Sequence, residues 1–468
     1  MAAVDMGKYK RIVQYFWDPE PKNDDPSHAP IWCLGEQYIA TTPPSRPPPP
    51  PESDSFAIIP PASSIPTPTK ERTRLADSHS SVESITPPND SLSSSVDDGL
   101  AYSSESSGPP DDDGGWPTPF LDDFEARLWF TYRSNFPPIA KSSDPGASSA
   151  MTFSVRLRSQ LVDHGGFTSD SGWGCMIRSG QSLLGNALSM IKLGRDWRRG
   201  KLPEEEKQLL SLFADDPSAP FSIHRFVEHG ATACGKHPGE WFGPSATARC
   251  IQALCNDRQE NDLRVYITGD GSDVYEDSFM KIARPEGSDT FHPTLVLVGT
   301  RLGIDRVTPV YWESLKASLQ LPQSVGIAGG RPSSSHYFTA VQSSHIFYLD
   351  PHQTRPALPS SSLTAEDISS CHTRRLRRLH IREMDPSMLI AFLIRDEADW
   401  RSWRAAVEEH SSGGKPVIRI ADREPSRGAP GAGGAAGREA EREGALDEVE
   451  ILSDDDDDDD GTVTVAAG

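Results

Sequence analysis

Residues 41–117 are the stretch that most limits what this chain can fold into. They run through proline, serine, threonine and aspartate, with proline at every position from 47 to 51. A segment of that composition cannot bury enough apolar surface to offset the entropy of ordering it. A length of 468 residues allows two or three domains, yet hydrophobic residues make up only 36% and prolines number 41. One globular domain is therefore expected over residues 118–410, with 41–117 a disordered insertion. Residues 1–40 read as an N-terminal segment that packs on that domain or regulates it. Glycine, alanine and charge dominate residues 411–468, where aspartate is unbroken from 454 to 460, so a disordered acidic tail is expected there. A formal net charge of −22 argues against binding nucleic acid through its phosphates.

The cysteines, at 33, 175, 234, 250, 255 and 371, are scattered without a dense framework, a pattern that suits unpaired thiols in a reducing compartment. The first ten residues hold no apolar core of a signal peptide, and the apolar run at 388–394 is too short to span a bilayer. The expected location is cytoplasmic. Inside the insertion, Asp54-Ser55-Phe56-Ala57-Ile58-Ile59 is an apolar island, and Phe56 and Ile59 are candidates for docking to a partner's sheet edge.

Within the globular part the hydrophobic period changes along the chain. Apolar positions recur at helical spacing over residues 176–191, and further helices are expected over 203–213, 221–227 and 246–255. Residues 264–268, 294–298, 335–341 and 344–350 are β-rich runs, as is the short stretch 30–35. A last helix is expected over 386–394, followed by 400–407, with order ending beyond 410. Helices first and strands later indicate an α+β domain.

The chemistry centres on Asp170-Ser171-Gly172-Trp173-Gly174-Cys175. A thiol in the first turn of a helix meets unpaired N–H groups and the positive end of the helix dipole, which favour the thiolate. A cysteine nucleophile needs a base, and the base needs a group to orient it. Asp350-Pro351-His352 supplies both, since residues two apart in an extended segment share a face and Pro351 keeps Asp350 extended. His336 and His345, inside expected strands and without an adjacent carboxylate, read as core or edge histidines. A zinc site from Cys234, His237, Cys250 and Cys255 is disfavoured, because Cys250 and Cys255 would point about 140° apart on a helix. No metal, phosphate loop or dinucleotide fingerprint is expected.

The motif around Cys175, together with Leu193-Gly194-Arg195-Asp196-Trp197, Trp241-Phe242-Gly243-Pro244, Gly326-Ile327-Ala328-Gly329-Gly330-Arg331-Pro332 and Tyr348-Leu349-Asp350-Pro351-His352, resembles the autophagy-related cysteine proteases, in their fungal form. The resemblance implies a papain-like fold with a triad of Cys175, Asp350 and His352. It implies Tyr132 as an oxyanion donor beside the Cys175 amide, Trp241 as the cover of the active site, and Gly329, Gly330 and Pro332 as part of its lid. The implied activity is cleavage of the autophagic ubiquitin-like modifier after a glycine and hydrolysis of its amide to phosphatidylethanolamine. That reading carries no cofactor, a monomer, transient contact with autophagic membranes, and location at the preautophagosomal structure, with the nucleus as a further site. A scaffold that binds the modifier without cutting it, and a broader protease of ubiquitin-like proteins, are the alternatives. Two features depart from the pattern or lie outside it: Val449-Glu450-Ile451-Leu452 in the tail lacks an aromatic for docking, and Arg374-Arg375-Leu376-Arg377-Arg378 is a basic patch that reads chiefly as a solvated face, with anionic lipid or a nuclear signal as alternatives.

Overall fold

The computed structural model describes residues 20–39, 113–161, 165–256, 263–269, 271–330, 334–410 and 415–424. All of them fall in one compact unit formed by 1–41 and 112–468. Phe56, Ile59 and Pro332, like most of the insertion and the acidic run, lie outside the described residues.

Strands occur at Ile31–Cys33 (β1), Glu36–Tyr38 (β2), Arg133–Ile139 (β3), Phe167–Ser169 (β4), Arg264–Ile267 (β5), Asp273–Tyr275 (β6), Thr294–Arg301 (β7), Ser324–Gly329 (β8), His336–Gln342 (β9), His345–Leu349 (β10), Arg355–Pro356 (β11), Arg378–His380 (β12), Ser387–Ile394 (β13) and Arg419–Ala421 (β14). The main sheet runs β12-β10-β9-β8-β13-β7-β5, with β1 joined to β9 and β2 to β1. Its pairs are antiparallel except β5 with β7. The Cys175–Lys192 helix packs on β8 and β9, and residues 175–190 are all buried, so this is a core helix whose N-terminus opens at the site. The Ile223–Ala233 and Pro244–Asn256 helices lie beside it. The domain mixes helices with a mostly antiparallel sheet, an α+β fold as expected, although helices at Glu276–Ala283, Trp312–Gln320 and Glu397–His410 stand between the later strands rather than before them.

Residues 387–394 depart from expectation. They form β13, the strand between β8 and β7, rather than a helix, and all eight side chains are buried. An unbroken apolar run shows no period, so local pattern cannot separate a strand sunk in the sheet from a buried helix. Order also continues past residue 410: β14 pairs in parallel with β6, and Arg404 bridges Asp422 at 2.7 Å. The stretch between Lys141 and the cysteine motif holds a helix that the sequence did not announce, Phe153–Leu161.

The described part of the N-terminal segment is built into the domain. β1 pairs with Ala340 and Val341 of β9, Trp116 Nε1 donates to the Pro21 carbonyl at 2.8 Å, and Arg195 donates to the Leu34 carbonyl at 3.1 Å.

Candidate active site

Cys175 is the first residue of its helix and is 0% exposed. The turn before it is held by Asp170. The Asp170 carbonyl accepts from the Trp173 and Gly174 amides at 3.1 and 2.8 Å. Its carboxylate accepts from the Arg133 amide at 2.6 Å and from Arg178 Nε at 2.6 Å, and Arg178 also bridges Asp215 at 2.8 Å. The two glycines have different reasons. Gly172 has φ +91°, where a side chain is strained, whereas at Gly174 a Cβ would sit 2.5 Å from Asp170 Oδ2.

Asp350 and His352 follow the end of β10. The Asp350 carboxylate accepts from His352 Nδ1 at 2.6 Å and from the His352 amide at 3.0 Å. Backbone contacts fix the segment against Tyr132, the residue that leads into β3. Trp129 Nε1 donates to the Asp350 carbonyl, and the Tyr132 amide donates to the Pro351 carbonyl, both at 2.8 Å. The Arg355 amide returns a bond to the Tyr132 carbonyl at 2.9 Å. The expected partners are thus brought together from three separate stretches of chain.

The electrostatics favour an ion pair. Burial pushes the Cys175 thiol up, but the hydrogen bond and charge of His352, the Ser335 amide and the Tyr132 hydroxyl outweigh it and bring the thiol below 9.0. Burial would lower His352, but hydrogen bonds to Asp350 and Cys175 raise it to about 10. Burial also opposes the Asp350 charge, yet the hydrogen bonds and charge of His352 hold its carboxyl well below the usual range. The two shifts run in the directions that favour a thiolate on Cys175 with the proton on His352 over the neutral pair. Tyr132 is pushed well above 10.0, first by burial and then by the charges of Cys175 and Asp170, so its hydroxyl stays a donor. That hydroxyl lies against the sulfur and the Gly172 amide and is otherwise unpaired among the described residues. The Tyr132 and His352 rings meet edge to face at 5.4 Å.

The Ser335 end of the β8–β9 connection borders the sulfur. Gly329 pairs with His336, Gly330 has φ +146° with its amide on the Ser387 carbonyl at 3.1 Å, and the amide of Ser335 faces Cys175. Trp241 is 6% exposed, and its indole Nε1 has no partner among the described residues. The stretch before it abuts the nucleophile turn: a Cβ on Gly239 would lie 2.4 Å from the Phe167 ring, and that ring meets Trp173 at 5.8 Å.

His336 corrects the sequence reading. It lies at the site, with Nε2 3.9 Å from Asp350 Oδ1 and its ring 5.4 Å from that of His352. Burial lowers it to about 4, so it is a neutral neighbour of the pair. Arg377 was not anticipated there either: its guanidinium meets Asp350 Oδ2 at 3.2 Å. The rest of the basic patch is paired as well, Arg374 with Asp122 at 2.6 Å and Arg378 with Asp24 at 2.6 Å.

His336, Asp350 and His352 place ligand atoms within 4.8 Å of one another. The 2.6 Å contact between Asp350 and His352 is a proton-sharing distance with no room for an ion between them. Cys234 and Cys250 turn their sulfurs to the Ala246 and Phe226 carbonyls at 4.0 and 3.5 Å, and His237 approaches Asp144 at 3.6 Å.

A helix-initial cysteine sharing a hydrogen bond with a histidine, an aspartate behind the ring and a phenol facing the sulfur are the arrangement of a cysteine-type peptidase. The profile of the peptidase C54 catalytic domain matches residues 117–406. The chain is 64% identical to a probable cysteine protease atg4 of Sclerotinia sclerotiorum, across 97% of this chain and 98% of that one. It is 63% identical to the probable cysteine protease atg4 of Botryotinia fuckeliana over the same shares. With the cysteine protease ATG4 of Pyricularia oryzae it shares 53% identity over 97% of each chain. The chain belongs to the peptidase C54 family, the autophagy-related cysteine proteases.

Proposed function

We propose that this peptidase cuts the C-terminal extension from the autophagic ubiquitin-like modifier after a glycine, and hydrolyses the amide that later joins that glycine to phosphatidylethanolamine. The observation that carries this reading is a fully buried Cys175 sulfur, faced by the Ser335 amide and lowered in pKa by His352. A slot so closed takes an extended chain with no side chain at the point of attack once the loop moves, and glycine meets that requirement.

The Cys175 thiolate attacks the glycine carbonyl carbon, and the oxyanion forms between the Tyr132 hydroxyl and the Cys175 amide. His352 gives its proton to the amine nitrogen as the C–N bond breaks, leaving a thioester and a neutral imidazole. Water then adds to the thioester as His352 takes its proton; the C–S bond breaks and the ion pair is restored. Asp350 keeps the ring oriented throughout. A leaving amine on a peptide and one on a lipid headgroup present the same chemistry to His352.

In this reading the enzyme is a cytoplasmic monomer that acts at the preautophagosomal structure, with Phe56 and Ile59 as a second contact for the modifier. The test is a side-by-side cleavage assay on precursor modifier, its phosphatidylethanolamine conjugate and ubiquitin fusions. Cleavage of the first two and loss of both in Cys175→Ala, with modifier binding retained, is the expected result. Equal cleavage of ubiquitin fusions would replace it with a broader protease, and no cleavage of any of them with a scaffold.

A further inference from the structure

The Phe153–Leu161 helix carries three apolar side chains that the described fold leaves uncovered. Phe153 is 77% exposed, Leu157 45% and Leu161 66%. Four residues apart, they line up as a stripe about 80° wide along the outward face. The inward face is anchored by buried Val155 and Ser159, and Lys141 Nζ donates to the Ser159 carbonyl at 2.5 Å. Val155 Cγ2 would lie 3.3 Å from a Cβ on Gly172, so the helix rests on the turn that carries Cys175.

Charge frames the stripe. Arg156 and Arg158 stand about 60° beyond its two edges. Arg158 is exposed, and Arg156 is half-buried on the Ser149 and Met151 carbonyls at 3.2 and 3.4 Å. Residues 141–161 hold Lys141, Arg156 and Arg158 against the single acid Asp144, in a chain whose net charge is −22. An apolar stripe between cations, beside a reaction centre, marks a binding surface. A protein partner would have to supply a groove for a convex helix face. A bilayer interface accepts such a face directly, with acyl chains under the stripe and anionic headgroups at the arginines.

We propose that this helix is a membrane-contact surface, laying Phe153, Leu157 and Leu161 into the headgroup region of an anionic bilayer with Arg158 on lipid phosphate. It holds the Cys175 turn against the membrane where a lipid-linked amide lies. The inference rests on the proposed lipid-conjugated substrate for its purpose, but not for its test.

The test is flotation of the full chain, carrying Cys175→Ala, with vesicles of phosphatidylcholine and phosphatidylethanolamine, made with and without phosphatidylinositol. Binding is expected to rise with phosphatidylinositol and to fall with salt. Phe153→Ser/Leu157→Ser/Leu161→Ser should weaken it about tenfold or more, and Arg158→Ala about fivefold. With Cys175 intact, both variants should cut soluble precursor at the parent rate, which also reports their folding, and should lose hydrolysis of the vesicle-bound conjugate by similar factors. Unchanged flotation of either variant would overturn the proposal. Equal loss on soluble precursor by Arg158→Ala would also overturn it and give the surface to the modifier. If the parent cuts neither form of the modifier, the substrate reading fails, and flotation still decides the membrane surface.

Discussion

Replacing Asp350 by asparagine keeps the shape of the site and removes one charge. Asp350 Oδ1 stands 2.6 Å from His352 Nδ1, with side-chain exposures of 14% and 18%, so solvent screens the pair weakly. At an effective dielectric near 20, a unit-charge pair some 4 Å apart is worth about 4 kcal/mol. Arg377 sharpens the loss: its guanidinium, 3.2 Å from Asp350 Oδ2, would then face a neutral amide and oppose the imidazolium. Losing about 3 to 4 kcal/mol of support for the ion pair predicts a fall in kcat/KM of roughly a hundred- to a thousand-fold. The pH dependence of alkylation separates cause from effect. In the parent, iodoacetamide should react with a pH midpoint below that of an ordinary thiol, because His352 favours the thiolate. In Asp350→Asn the reactive thiol should titrate at higher pH and react at least about tenfold more slowly at neutrality. If the variant is alkylated with the parent's pH profile while losing activity, the charge on Asp350 does not maintain the ion pair and the reasoning fails.

Tyr132→Phe removes an oxyanion donor without disturbing the ring stack on His352; kcat should fall about a hundredfold or more with little change in KM. Steady-state kinetics showing a loss confined to KM would place the hydroxyl in substrate binding instead. For the parent, kcat/KM should rise with pH as Cys175 passes its lowered pKa and fall near pH 10 as His352 loses its proton, the raised value marking the alkaline limb; an alkaline limb near the ordinary histidine value of 6.5 contradicts the ion pair. Asp170→Ala leaves buried Arg178 with one carboxylate, Asp215, and with Gln181, and should destabilise the fold by about 3 kcal/mol or more in denaturant titration. A loss below 1 kcal/mol would show that Asp170 organises the turn without supporting the core.

Much of the site was legible because its signals are local. A helix-initial cysteine after Gly-Trp-Gly and a carboxylate two residues before a histidine depend on spacing within a few residues, and the structure keeps both relations. The Pro203–Ser211 and Ile223–Ala233 helices were legible for the same reason, since one face meets the core and the other meets water; the β-rich runs were legible from their β-branched and aromatic content. Residues 386–394 were not, because a run that is apolar throughout carries no period. Neither was the Phe153–Leu161 helix, whose apolar residues point to both its faces.

The sequence by itself marked Cys175, His352 and Asp350 as candidates for nucleophile, base and orienting carboxylate, since each lies in a short stretch whose spacing allows that chemistry. The distance between those stretches, and everything else that tunes them, was decided by the tertiary structure. His336 shows why. The β9–β10 hairpin shifts register between Phe347 and Tyr348, so that Leu349 pairs with Tyr337 and the next step sets Asp350 opposite His336. A single extra residue in a strand changes which side chains meet, and nothing in a linear reading announced that bulge. Arg377, from a patch that looked like a solvated face, reaches the same carboxylate because β12 lies beside β10. Neighbours across a sheet are set by pairing and register, and those are properties of the folded chain.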